Sequence, residues 1–208
     1  MKHTRFQSAV IVFLLASNLS ADGQVRSPQR RQLSGSEIRK IDFRNFTYHS
    51  TLCSQELSRD GLGETVRVRN GQFKNAEVYY AVGKPIYGDL TNDNQEEAVI
   101  TVGCNAHIAN FSLAEVHVYG TKNQKVELLA SFDDRQMESE YESYFPRPDG
   151  ALWGINSVRV SAGNLEIDRF ADGPMSCPPY LATFEYRLDG KRLALIKRPV
   201  KRASNLPC

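Results

Sequence analysis

Apolar positions along this chain recur mostly at every second residue, in short runs separated by turn residues. "TVRVRNGQF" puts Val66 and Val68 on one face and closes on Asn70 and Gly71, a pair suited to the positive φ angles of a type I′ turn. "AEVYYAV" and "KPIYGDL" continue the strand pattern, and "EEAVITVG" is a continuous apolar run of the kind found in a strand covered on both faces. "AEVHVYG" and "KVELLASF" flank the turn "TKNQ". "SVRVSAGNLEIDRF" turns around Gly163 and Asn164, and "TFEYRLDGKRLALIKRP" around Asp189 and Gly190. Upstream, "IDFRNFTY" alternates well enough for a first strand, after Ser36 and Glu37 open a short helical turn. Hairpins at such close intervals predict a mainly β fold: an antiparallel sheet of consecutive hairpins, as a sandwich or open barrel, with one or two short helices.

The period changes once. In "DDRQMESEYESYF", Met137, Tyr141, Tyr144 and Phe145 recur at helical spacing opposite the charges, and Pro146 and Pro148 end the run. Trp153 follows at once in "PDGALWG". Tyr141, Tyr144, Phe145 and Trp153 therefore form a candidate partner-binding segment, gripping a protein or stacking on a sugar. The competing use of the same rings is to pack a helix on a sheet.

The first 21 residues carry Lys2 and Arg5, then an uncharged stretch from Phe6 to Leu19, then small residues up to Ala21. This is the layout of a cleaved signal peptide, and the stretch is shorter than the roughly 20 apolar residues a bilayer-spanning helix needs. Residues 22–36 are polar, basic and poor in large apolar groups, as in a flexible leader, leaving 37–208 as a single β-rich domain. An exported protein, periplasmic or secreted, with no membrane span is the expectation.

Charge narrows the partners. The chain holds 26 Lys and Arg against 24 Asp and Glu; without Lys2 and Arg5 the count is 24 against 24. A net charge near zero argues against bulk attraction to nucleic acid. The signs are segregated: Asp133, Asp134, Glu138, Glu140 and Glu142 crowd one segment, while Lys191, Arg192, Lys197, Arg198, Lys201 and Arg202 lie near the C-terminus. These are two solvated faces, or a basic tail that pairs with the acidic segment.

Cys53, Cys104, Cys177 and Cys208 all come after the signal segment, and an even count in an oxidising compartment suggests disulfides. Of three connectivities, Cys53 with Cys104 and Cys177 with Cys208 join near neighbours in the chain. Cys104, His107 and His117 lack a second short Cys/His pair to complete a zinc site.

The residues closest to a recognisable site are "YGDLTNDNQEEAVITVG". Counting from Asp89, the odd places are Asp89, Thr91, Asp93, Gln95 and Glu97, oxygen-bearing side chains at the alternation a tight calcium loop uses. The EF-hand spacing is not met, because Ile100 stands at the twelfth place and Asn94 at the sixth. The same residues also suit a plain turn, in which Asp and Asn bond their own backbone.

The loop alone resembles the calcium loops of FG-GAP and VCBS propeller repeats, with Thr91 and Asn94 as departures from that pattern. A wider resemblance runs through "IDFRNFTYHSTLC", "YGDLTNDNQEEAVITVGCN", "LWGINSVRV", "RFADGPMSCPPY" and "FEYRLDGKRLAL". Together these are similar to a family of small exported bacterial proteins of unknown function with a GDLTxDxxEEAV core. Its members often have two adjacent Cys where Ser176 and Cys177 stand here. The resemblance implies no activity and no catalytic residues.

No GxSxG elbow, phosphate-binding glycine loop or HExxH helix occurs. The expected function is a non-catalytic domain that binds a protein or glycan in the envelope or outside the cell, requiring no cofactor and setting no oligomeric state. The alternative is an envelope or glycan hydrolase using Asp89, Asp93 or Glu97 as acid and base or as calcium ligands.

Overall fold

Strand β6 (Glu97–Ala106) divides the interior in two, because its apolar run supplies alternate side chains to two separate cores. Val99 enters one; Ala98, Ile100, Val102 and Cys104 enter the other. The computed structural model describes residues 37–107, 112–146 and 151–205. The expected signal and leader segments (1–36) and Cys208 lie outside the described residues.

In chain order the regular elements are β1 (Thr47–His49), α1 (Leu52–Leu57), β2 (Thr65–Arg67), β3 (Gln72–Lys74), β4 (Val78–Val82), β5 (Ile86–Gly88) and β6. After β6 come β7 (Leu113–Lys122), β8 (Lys125–Asp133), α2 (Asp134–Tyr144), β9 (Leu152–Ser161), β10 (Asn164–Ala171), β11 (Tyr180–Asp189), β12 (Arg192–Leu195) and β13 (Val200–Ala203). All pairings among them are antiparallel. The central sheet runs β3-β4-β6-β7-β8, with β5 also on β6. The second runs β12-β11-β10-β9, with β13 on the other half of β11, and β1 and β2 form a small pair of their own. The fold is thus mainly β and built from consecutive antiparallel strands, with two short α-helices and no closed barrel among the described residues.

The two sheets pack around the first core, where Val116, Val118 and Phe132 meet Leu165, Ile167, Phe184 and Tyr186, with Met137 and Tyr141 of α2. At one point the sheets nearly touch: a Cβ on Gly88 would lie 2.4 Å from Val160 Cγ1. The other face of the central sheet is covered by residues 37–69, whose Ile38, Phe43, Tyr48, Leu57, Val66 and Val68 fill the second core. Burying each such side chain contributes about 1.5–3 kcal/mol.

The covering segment differs from the expected first strand. The expected short helical turn is present as a 3-10 turn, Glu37–Lys40, but "IDFRNFTY" opens with a second one, Phe43–Asn45, and only Thr47–His49 pairs as strand. The physical reason is local: Asp42 accepts from the Arg44 amide and the Asn45 side chain, which bends the backbone before it can extend. The Asn70–Gly71 turn has the positive φ angles expected of it, 52° and 82°. It joins β2 to β3 across two different sheets, with Arg69 and Gln72 as its bridge. Asn123 and Gln124 make the β7–β8 turn, both with positive φ. The β9–β10 turn sits at Ala162 and Gly163, one residue earlier than expected, and Asn164 is already paired with Ser161.

Among the links that hold the covering segment to the central sheet are a disulfide and a buried carboxylate. Cys53 of α1 is bonded to Cys104 of β6. Beside them Glu115 of β7, fully buried, accepts from the Cys53 amide at 2.7 Å, the Ser50 hydroxyl at 2.8 Å and the Thr51 amide at 3.4 Å. The two amides are donors at the start of α1 that the helix itself leaves unpaired. His117 Nε2 lies 2.7 Å from the same carboxylate, and its Nδ1 faces the Tyr119 hydroxyl at 3.3 Å. Burial alone would raise the Glu115 carboxyl, yet His117, the Cys53 amide and Ser50 outweigh it and hold it below the ordinary 4.5. Cys177 is disulfide-bonded as well.

Opening the Cys53–Cys104 bridge frees a loop with a sequence separation of 51. The double substitution C53S/C104S is expected to cost about 4 kcal/mol by the chain-entropy relation, read as a fall in the urea midpoint, and an unchanged midpoint would contradict that role. Because Glu115 has a depressed pKa in the fold, its contribution is complete above 4.5 and declines as pH falls through the lower folded value. Glu115→Gln is expected to flatten the dependence of unfolding free energy on pH in that acid range, while an identical slope in variant and wild type would refute the assignment.

Candidate functional site

The acidic loop gathers the five residues expected of it, but points its three carboxylates at its own amides. Asp89 accepts from the Asp93 and Asn94 amides at 3.2 and 2.9 Å, and Asp93 from the Gln95 amide at 2.8 Å. Glu97 is buried and accepts from the Leu90 and Thr91 amides at 2.6 and 3.3 Å and from the Thr91 hydroxyl at 3.2 Å. Its carboxyl is pushed up by burial, which these bonds only partly offset. Positive φ at Asn92 and Asn94 completes the bend. The loop then rests on the second sheet, since a Cβ on Gly163 would come 2.5 Å from Asn92 Oδ1. Among the described residues no group of three or more His, Cys, Asp or Glu is placed to hold a metal. The geometry is that of a self-bonded turn.

The aromatic segment divides likewise. Tyr141 is fully buried, packs on Phe145 at 4.9 Å and donates to Asp172 at 2.9 Å. It is a core residue, which corrects its assignment as a partner contact: Tyr141 shares a helix face with Met137, and that face lies against the second sheet. Phe145 is half-buried beneath Arg198 and Lys201, whose cations sit 5.0 and 5.1 Å from its ring. Tyr144 is exposed. Trp153, the second residue of β9, donates its indole N–H to the Gly173 carbonyl at 3.2 Å and remains partly exposed. The basic C-terminal residues pair with the second sheet and its turns instead of with α2. Lys197 bonds Glu185, Lys201 bonds Asp172 at 2.8 Å, and Arg202 reaches Asp168 at 3.2 Å.

Trp153 lines a cleft of about 280 Å³ where α1, α2, β9 and β10 converge. Leu52 and Glu56 come from α1, Asp134, Arg135 and Glu138 from α2, and Arg169 from β10. Arg169 and Asp134 form a buried ion pair at its base, 2.8 Å apart. The Asp134 carboxylate also accepts from the Ala114 amide at 2.5 Å, and Arg169 Nε donates to the Trp153 carbonyl at 2.9 Å. Burial drives both groups toward neutrality: it raises the Asp134 carboxyl against the pull of Arg169, and lowers the Arg169 guanidinium against that of Asp134. A larger hollow of about 510 Å³ lies along α1, lined by His49, Gln55, Ser58 and Glu64. It has no buried charged side chain, and Ser54 and Ser58 donate to nearby carbonyls, so the smaller cleft is the better-built site.

Asp134 and Arg169 carry the cleft, and neither stands out in composition. The signal is one of phase: Asp134 precedes Met137 and Tyr141 by three and seven residues on one helix face, and Arg169 falls in step with Leu165, Ile167 and Ala171 in β10. A charge in step with the buried positions is either paired or functional.

No protein-family model, curated protein or solved structure matches this chain.

Removing one partner of the buried pair strands the other. Arg169→Met is expected to cost about 3–5 kcal/mol in chemical denaturation, with most of the loss regained in D134L/R169M, where neither charge remains. A loss below about 1 kcal/mol in the single variant would mean the pair is solvated in solution.

Proposed function

We propose that this protein is an exported, non-catalytic β-rich domain that binds a protein or glycan partner, and that the cleft beside Trp153 is where the partner enters. The observation that carries the proposal is the joining of an aromatic wall, a buried Asp134–Arg169 pair and further charged side chains in one concavity. Sites of this form orient a ligand through a few fixed polar groups set among apolar ones. The Cys53–Cys104 disulfide is compatible with an oxidising compartment and so with export.

The hydrolase alternative, with or without calcium, finds no support at Asp89, Asp93 and Glu97. Their carboxylates accept from the amides of their own loop, and none of the three lines the cleft or the hollow along α1. Acid and base catalysis by two carboxyl groups requires both to face one bound substrate.

The test is a comparison of envelope extracts passed over immobilised wild-type and Trp153→Ala protein. Species retained by wild type are expected to be lost with the variant, while both proteins melt cooperatively. Equal retention by the two would remove the cleft as the binding site.

A further inference from the structure

The charges around the cleft do not cancel. Arg169 is matched by Asp134 at 2.8 Å, and Arg135 is bonded to Glu56 across the rim. Glu138, half-buried on the next turn of α2, is the remaining acidic side chain of the lining, and no hydrogen bond or ion pair engages it among the described residues. Its field is felt at the base of the cleft, where it raises the Asp134 carboxyl and supports the charge on Arg169. Near it the walls are Trp153, Leu152 and Met175, the last about half exposed.

A half-buried carboxylate beside an indole and aliphatic surface is complementary to a particular class of group: a cation carried on an apolar stem. A volume of about 280 Å³ suits one such side chain and not an extended chain of sugars. Building on the proposed binding role, we infer that the cleft receives a lysine or arginine side chain of a protein partner, with Glu138 as counter-charge and Trp153 as the aromatic wall. Glu138 is a recognition residue, while Asp134 and Arg169 shape the floor.

Nuclear magnetic resonance with isotope-labelled protein and small probes tests this directly. Nα-acetyl-arginine amide and Nα-acetyl-lysine amide are expected to shift the Trp153 indole N–H and the Glu138 amide saturably. The neutral isostere Nα-acetyl-citrulline amide should bind about tenfold more weakly, and Glu138→Gln should weaken the cationic probes by a similar factor without changing the melting temperature. Equal shifts from citrulline and arginine, or none at millimolar probe, would overturn the inference. So would a neutral oligosaccharide that shifts these signals when arginine does not. An extracted partner that depends on Trp153 but not on Glu138 overturns only the cation, whereas independence from Trp153 overturns the cleft itself.

Discussion

One buried carboxylate seats the covering segment on the central sheet. Glu115 sits inside the second core, where an unpaired charge would cost several kcal/mol, and it is tolerated because donors from two sides converge on it. Three of those donors belong to Ser50, Thr51 and Cys53, at the start of α1. The carboxylate therefore does for a six-residue helix what no side chain of that helix does, since Thr51 at its N-cap makes no capping bond. Six residues form less than two turns and would not persist alone in water. Docking on β6 and β7 is what makes α1 a helix.

The cleft is a product of that docking. Leu52 and Glu56 of α1 line one side of it, α2 lines another, and Trp153 and Arg169 enter from the second sheet. It exists only when the covering segment, the central sheet and the second sheet are all in place. The Cys53–Cys104 bond fixes α1 along the chain, and Glu115 fixes its direction. The Asp134–Arg169 pair ties α2 to β10 from below. The acidic loop contributes at a distance, holding its bend through Asp89 and Glu97 and seating Asn92 against the β9–β10 turn.

Most of the β architecture is legible in the sequence because alternation and turn chemistry agree. The unbroken run Ala98 to Val102 marks a strand buried on both faces, and Val66 with Val68 marks the inward face of β2 and its extension toward the Asn70–Gly71 turn. Alternation misreads the first strand because Asp42 competes locally for backbone amides, an effect that the apolar pattern does not report. Tyr141 is ambiguous for a different reason: aromatic residues in an acidic helix suit a binding face as well as a core. Only tertiary packing on Phe145 and Phe184 separates the two. The loop from Asp89 to Glu97 shows the converse: the residue types that bind calcium also bond their own backbone, and the amide geometry decides which. Asp134 and Arg169 are readable in principle from their phase, and are hidden among other charged residues beside them in sequence, such as Asp133, Arg135 and Asp168.

Amide hydrogen exchange at Thr51 and Cys53 under native conditions reads the Glu115 anchor without an intermediary. If Glu115 holds the start of α1 to the sheet, these amides exchange only on global unfolding in the wild type, and lose that protection in Glu115→Ala while β6 amides keep theirs. Fast exchange at Thr51 and Cys53 in the wild type would show that the carboxylate does not anchor the helix, and that the cleft is assembled by something else.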